Sequence, residues 1–392
     1  MKAIYLLLVS YIFLCTQALG ESNENHINIV ADEDQTEVFF NWHTDRCFDN
    51  NIPDSPARAF HSYDGKVYLY TAHYENVPYI GSTLDNARPA CGEYYSAAMD
   101  SSPELYNSRI WLQTFYAVAG GKIVYSLASS DYHGIWFKNC LKVDPKNPGC
   151  WSSAVVLANS NDGGRNFDIA KPPNHIIARS PYLFSKERGG PSGFFTTSNI
   201  VKRGDYYYSL FYAGAYKQQL SGNCLARTNN LSDPRSWRSW DGKKFDTPFP
   251  WKALQGVDGQ AHFSCMPIDG LNKKIRSLLW HEISHKYIAI FEEIKKSNSN
   301  MRLDVLFNYA TSDDLINWSK TRNIISIQGP ENCKTPQFSA AYPSILDSNS
   351  KDINFGTIDS SGYLYYTHFN LSDNCQLTLN RDLLRVPIKI HP

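Results

Sequence analysis

One strand–turn–strand unit recurs five times along the chain, and any fold has to seat all five copies. It reads Asp64-Gly65-Lys66-Val67-Tyr68-Leu69-Tyr70, then Gly120-Gly121-Lys122-Ile123-Val124-Tyr125, Arg203-Gly204-Asp205-Tyr206-Tyr207-Tyr208, His285-Lys286-Tyr287-Ile288-Ala289-Ile290 and Ser361-Gly362-Tyr363-Leu364-Tyr365-Tyr366. Most copies set turn-forming residues such as Gly, Asp or Lys before a run dense in Tyr, Leu, Ile and Val, which is how a hairpin is written. Helical periodicity is scarce. The copies begin 56 to 83 residues apart, wider than the roughly 40 to 50 of common propeller repeats, so long loops are expected between them.

A second pattern follows three of the copies. Ser160 to Phe167, Thr228 to Trp237 and Thr311 to Trp318 each place Ser or Thr and Asp or Asn in a turn before an aromatic residue. The short polar side chains close such a turn on backbone N–H groups, and the aromatic packs between sheets. The reading is an all-β chain: one five-bladed β-propeller of four-stranded antiparallel sheets over residues 21–392, with Ile27 to Phe40 as the outer strand of the last blade. Two stacked β-sandwiches would not explain a unit that recurs without a linker-like break.

Met1 and Lys2 precede an apolar run from Ala3 to Cys15, and Ala18-Leu19-Gly20 supplies small residues for a signal peptidase. Residues 1–20 are therefore expected to be a cleaved signal peptide, leaving a secreted or periplasmic protein with no membrane segment. Cleavage removes Cys15 and leaves eight cysteines without a Cys-x-x-Cys pair, which on an exported chain points to four disulfides. Sequential pairing is expected, most clearly Cys140 with Cys150 across a turn-rich loop. The 38 basic residues match the 38 acidic ones, which argues against a nucleic-acid binder. An aromatic content of 14% with no net charge also excludes a disordered chain.

The Ser160 to Phe167 turn and Asp313-Asp314-Leu315-Ile316-Asn317-Trp318 resemble those of propeller glycosidases: sialidases and the arabinanase, xylosidase and invertase-type enzymes. Pro53 to Phe60, Thr197 to Val201, Ser236 to Gly242 and Tyr342 to Asp347 look like a set carried by secreted bacterial proteins related to those hydrolases. The resemblance runs from about residue 45 to the C-terminus, and it implies a glycoside hydrolase or a non-catalytic carbohydrate-binding or host-interaction propeller. It also implies that Asp54 occupies the position of the first-blade Asp, a base in inverting members and a nucleophile in retaining ones. The sequence alone equally allows Asp54 to cap its turn. Glu282 is the expected acid and Glu293 the runner-up. Where the related enzymes carry a third-blade Asp, this chain has Thr197-Ser198-Asn199; Asp131 or Asp258 would have to take that role, or the site only binds.

Side chains at the start of each first strand and the end of each second strand converge on one mouth of a propeller. Arg58, His73, His133, Asn199, His281, Tyr342 and His368 are thereby expected to bind substrate, with Arg58 either pairing Asp54 or meeting an acidic sugar. His281-Glu282-Ile283-Ser284-His285 matches a zinc-protease spacing, but such a site needs a helix, and the flanks read as strands that would hold the histidines about 13 Å apart. No metal site and no cofactor is expected; a calcium ion on the channel axis occurs in some of the related enzymes, and nothing in the sequence demands it. The expected partner is a carbohydrate and the expected state a monomer.

Overall fold

The computed structural model describes residues 27–392 except 72, 93–94, 142–148, 253–263, 298–301 and 332. The expected signal peptide, Asp258 and the loop between Cys140 and Cys150 fall wholly or largely outside these residues. The described residues are almost wholly strand and loop, and the strands fall into five antiparallel units. Unit one holds Arg58–His61, Val67–Tyr70, Tyr79–Gly81 and Arg88–Pro89. Unit two holds Ile110–Val118, Ile123–His133 and Trp151–Ser160, the last edged by Asp168–Ile169 and Ile176–Ala178. Unit three holds Pro191–Thr197, Tyr206–Gly214, Gly222–Thr228 and Arg238–Ser239. Unit four holds Ile275–His281, Lys286–Lys296, Leu303–Ser312 and Arg322–Ile327. Unit five holds Ala340–Leu346, Ser361–Phe369 and Arg381–His391.

The first strands of consecutive units touch in order, and that of unit five returns to that of unit one. Radial repetition of this kind is a β-propeller. Its apolar core is divided into five wedges, each filled by residues from two neighbouring units. Phe60, Tyr68 and Tyr70 meet Ile110, Leu112 and Phe115 between units one and two. Phe39, Phe40 and Leu69 meet Leu346, Tyr365 and Leu383 between units five and one. Large aromatics suit this job, because blades diverge outward and the gap widens with radius.

The recurring sequence unit proves to be the start of the second strand in every unit, and the Asp- and Asn-bearing turns join third strands to fourth. Asn28–Ala31 pairs Arg381–His391 from Asn28 opposite His391 to Ala31 opposite Ile388, so the first strand of the described residues completes their last sheet. The disulfides are Cys47–Cys91, Cys140–Cys150, Cys224–Cys265 and Cys333–Cys375, the sequential pairing.

Units two and three are further joined where Trp151–Ser153 runs parallel to Pro191–Gly193. Gly193 has φ +94°, and a Cβ there would collide with the Ser153 carbonyl oxygen, so only glycine lets the two strands close. This junction sets the Trp151 side chain at the mouth described next.

Candidate active site

A cavity of about 360 Å³ opens at the mouth where the first strands begin. Each unit contributes to it by the same device, a side chain at a strand end beside a loop. Asp54 and Ser55 precede the first strand of unit one; Arg109 and Trp111 open that of unit two, and Asp131 and His133 end its second strand. Phe195 and Thr196 come from unit three, Lys274 and Arg276 from the start of unit four, Tyr342 from unit five. A contiguous lobe shares Asp54, Lys274, Arg276 and Tyr342 and adds Glu292 and Arg381.

Asp54 lies between cations. The Arg381 guanidinium donates to its Oδ1 and the Tyr342 hydroxyl donates to the same carboxylate. Burial pushes the Asp54 carboxyl above its ordinary range, and Arg381, Tyr342 and Arg109 pull against that without overcoming it. Asp131 faces the same cavity. It accepts the Trp151 indole N–H, lies 3.1 Å from His133 Nε2 and 3.9 Å from Arg109. Glu292 sits behind them, accepting Arg276 Nε at 2.9 Å and the Tyr342 backbone N–H at 2.7 Å.

The walls are aromatic. Trp111, Trp136, Trp151, Phe195 and Tyr342 line the cavity, and His133 stacks on both Trp136 and Trp151 with ring centroids 5.2 and 4.7 Å apart. Arg109 lies over Trp136 at 3.8 Å. Several buried polar atoms on this lining, Ser55 Oγ, Arg109 Nε, Trp111 Nε1 and Gln113 Oε1, have no hydrogen-bond partner among the described residues. Tyr342 and Arg109 hold left-handed backbone at φ +62° and +49°, a conformation that costs side-chain-bearing residues energy and clusters at functional sites.

Of the residues singled out from the sequence, Asp54, Asp131, His133 and Tyr342 line the cavity. Glu282 does not. It follows the last residue of Ile275–His281, on an exposed turn about 20 Å along the strand from Arg276, at the opposite mouth. His281 lies at that far end too, buried, with Nδ1 2.6 Å from Ser284 Oγ. Glu282 to His285 form the hairpin turn itself; the expectation of two histidines on one straight strand is corrected, because the chain reverses between them.

Arg58 is not the partner of Asp54. Its buried guanidinium donates to the carbonyls of Ala57 and Arg276, and burial beside Arg276 pushes its pKa down to about 9. Arg381 pairs Asp54 instead. His73 stands behind the wall, edge-on to Trp111 at 4.9 Å; burial, with Arg109 and Arg381 nearby, brings its pKa down to about 3. Asn199 ties units three and four, its Oδ1 accepting the Leu278 N–H at 3.0 Å. His368 ends its strand near the cavity mouth but outside the lining, between Asn370 and Asp382. Arg109, Lys274, Arg276, Arg381 and Trp151 were not singled out, although the strand-start rule that selected Asp54 and Tyr342 also covers Arg109, Lys274 and Arg276. Among the described residues no group of three His, Cys, Asp or Glu side chains is placed to hold a metal ion.

No protein-family model matches the chain, and no curated protein sequence matches it. Solved structures do. Sucrose-6-phosphate hydrolase from Lactobacillus gasseri aligns at 11% identity over 88% of this chain and 60% of its own, with a TM-score of 0.41. The Bombyx mori GH32 β-fructofuranosidase aligns at 14% over 90% and 62%, with a TM-score of 0.43. The endo-arabinase from Bacteroides thetaiotaomicron aligns at 10% over 90% and 97%, with a TM-score of 0.47. The chain thus spans about 60% of the length of the first two. At such identities and TM-scores the likeness carries no activity over to this chain.

Proposed function

We propose that the chain is a secreted, carbohydrate-active propeller that hydrolyses a glycosidic bond in this cavity. The observation that carries the reading is that two carboxyl groups from different units, Asp54 and Asp131, line one cavity together with three indoles and buried polar atoms that lack protein partners. Indole faces stack on the apolar faces of sugar rings, and unspent donors and acceptors suit hydroxyl groups. The disulfides fit an oxidising compartment, and among the described residues no helix is long and apolar enough to cross a membrane.

Glycoside hydrolysis takes one carboxyl group to protonate the leaving oxygen and another to act as base or nucleophile. Asp54 takes the second role: its raised pKa makes it a stronger proton acceptor than an exposed carboxylate, and Arg381 with Tyr342 fixes its orientation. The acid role falls to Asp131, held by the Trp151 indole N–H and set 3.1 Å from His133 Nε2. Glu292 positions, through Arg276 and the Tyr342 backbone, the wall against which Asp54 rests. A binding-only propeller is the second reading, favoured by the Arg381 and Tyr342 contacts that already occupy the Asp54 carboxylate.

A glycan-release screen on the disulfide-intact protein tests this, with Asp54→Asn and Asp131→Asn run beside it. Each variant is expected to lose release by about 10²-fold or more while keeping the wild-type melting transition. Binding on a glycan array with no release from any substrate would instead make the chain a lectin-like protein.

A further inference from the structure

Positive charge at this site exceeds negative. The cavity and its lobe hold Arg109, Lys273, Lys274, Arg276 and Arg381 against Asp54, Asp131 and Glu292. Lys273 is turned to Glu293 at 3.7 Å, and two of the other four cations are fully engaged. Arg381 is bound to Asp54 and Arg276 to Glu292, each with both side chains mostly buried. The other two are not. Among the described residues Arg109 reaches a carboxylate only at 3.9 Å and its buried Nε has no partner, while its flat face is spent on Trp136, Trp111 and Tyr74. Lys274 Nζ lies over the rings of Phe195 and Tyr212 at 5.7 and 5.5 Å, and among the described residues no carboxylate comes within ion-pair distance of it.

Such an arrangement costs free energy unless a counter-charge meets it. A partly buried ammonium with no counter-charge loses hydration without recovering it, and the cost shows in the proton affinity of Lys274. Burial foremost, then Arg276, brings its pKa down to about 8, against the opposing pull of Glu292 and Asp131. Arg109 is likewise pushed down by burial, with Asp131, Tyr74 and Asp54 pulling the other way. Both cations line the 360 Å³ cavity that also holds Asp54 and Asp131, so an anion that satisfied them would sit beside the reacting bond.

Resting on the reading of this cavity as a sugar site, we infer that the sugar it takes carries an anionic group, a carboxylate or a sulfate ester, which meets Arg109 and Lys274. A planar carboxylate offers two oxygens to the guanidinium, and a sulfate leaves one more for the ammonium.

Matched pairs of oligosaccharides test it on the full chain. One arm compares galacturonate and glucuronate oligomers with their carboxyl-reduced forms; the other compares sulfated galactans with their desulfated forms. Tryptophan fluorescence reports binding, since three indoles line the site. At pH 6.5 at least one acidic member is expected to bind tenfold or more tightly than its neutral partner, and the arm that shows it names the anion. That ratio is expected to fall at least fivefold in Lys274→Met or, should that variant not fold, Lys274→Gln. In the native chain it is expected to fall as pH rises through about 8, where Lys274 loses its proton in the field of Arg276, Glu292 and Asp131. Neutral members binding as tightly as acidic ones would overturn the inference and leave the sugar site standing. A preference that survives in both Lys274 variants and in Arg109→Met would overturn it too. No binding by any member would remove both readings.

Discussion

Asp54 is a carboxylate whose behaviour is decided by its neighbours. Burial raises its pKa, and the contact with Arg381 is the largest opposing influence. Removing that cation while keeping an apolar stem, as in Arg381→Met, leaves burial less opposed, so the Asp54 pKa climbs further. A group that works ionised as a base is then active only at higher pH. The acidic limb of the kcat/KM profile is therefore expected to move upward, with a smaller displacement in Arg381→Lys; an unmoved limb would assign the base elsewhere. His73 works in the opposite sense. Its folded pKa of about 3 lies below the ordinary value of 6.5, so between those values the unfolded chain binds a proton that the folded chain refuses. Stability is whole above about pH 6.5 and falls by up to about 1.4 kcal/mol per unit towards pH 3. His73→Gln is expected to flatten that part of the urea midpoint against pH. These residues also show what the sequence could carry. Asp54, Asp131, His133 and Tyr342 were legible because strand ends converge at a mouth, and that holds for any side chain at a strand end. Arg381 was not, since it approaches Asp54 across 327 positions of sequence from the start of the last strand, and nothing local marks that meeting.

Strands and turns were more legible than contacts, because their signals are local. Asp314 illustrates why. Its carboxylate accepts the backbone N–H groups of Ile316 and Asn317 at 2.9 and 2.7 Å, the Asn317 side-chain amide at 2.7 Å and the Ser312 hydroxyl at 3.1 Å. Burial alone would push Asp314 up, yet the Asn317, Ile316 and Ser312 donors outweigh it and hold it below the usual carboxylate range. The stabilisation from these bonds is present above the ordinary carboxylate pKa and is lost as pH falls through the depressed one. Asp314→Ala is expected to cost about 1–2 kcal/mol in chemical denaturation at pH 7, and the difference from wild type should shrink in acid. Equal loss at pH 7 and pH 3 would mean that the turn depends on backbone shape and not on the charge. The same locality explains the misplacement of Glu282. Trp280-His281-Glu282 reads as a strand edge beside a carboxylate, but direction matters in a ring. The first strand of unit four starts with Arg276 at the cavity and finishes with His281 at the far mouth. The carboxylate that returns to the cavity side is Glu292, on the strand running back.

At the scale of the molecule, the ring has to be closed by something, and here the first strand does it. Ile27 and Ile29 are buried in the wedge between units four and five with Ile288, Phe307, Tyr309, Ile388 and Ile390, and the Tyr309 hydroxyl donates to the Ile27 carbonyl at 2.8 Å. Because side chains alternate along a strand, Val30 points away and is 48% exposed, whereas Ile29 is 3% exposed. This closure was legible as a run, Ile27 to Phe40, with no sheet of its own; the structure breaks that run at Glu33–Gln35 into Asn28–Ala31 and Glu37–Phe40, both paired with Arg381–His391. If the wedge is what seals the ring, then Ile29→Ala is expected to destabilise the whole chain by about 2–4 kcal/mol, and Val30→Ala by less than about 0.5 kcal/mol, in one shared unfolding transition. The comparison separates ring closure from strand propensity, which both substitutions lower. Similar costs for the two would mean that the edge contributes through its backbone ladder alone. A separate early transition in Ile29→Ala would mean that the last sheet opens without the others, and that the five wedges do not act as one core.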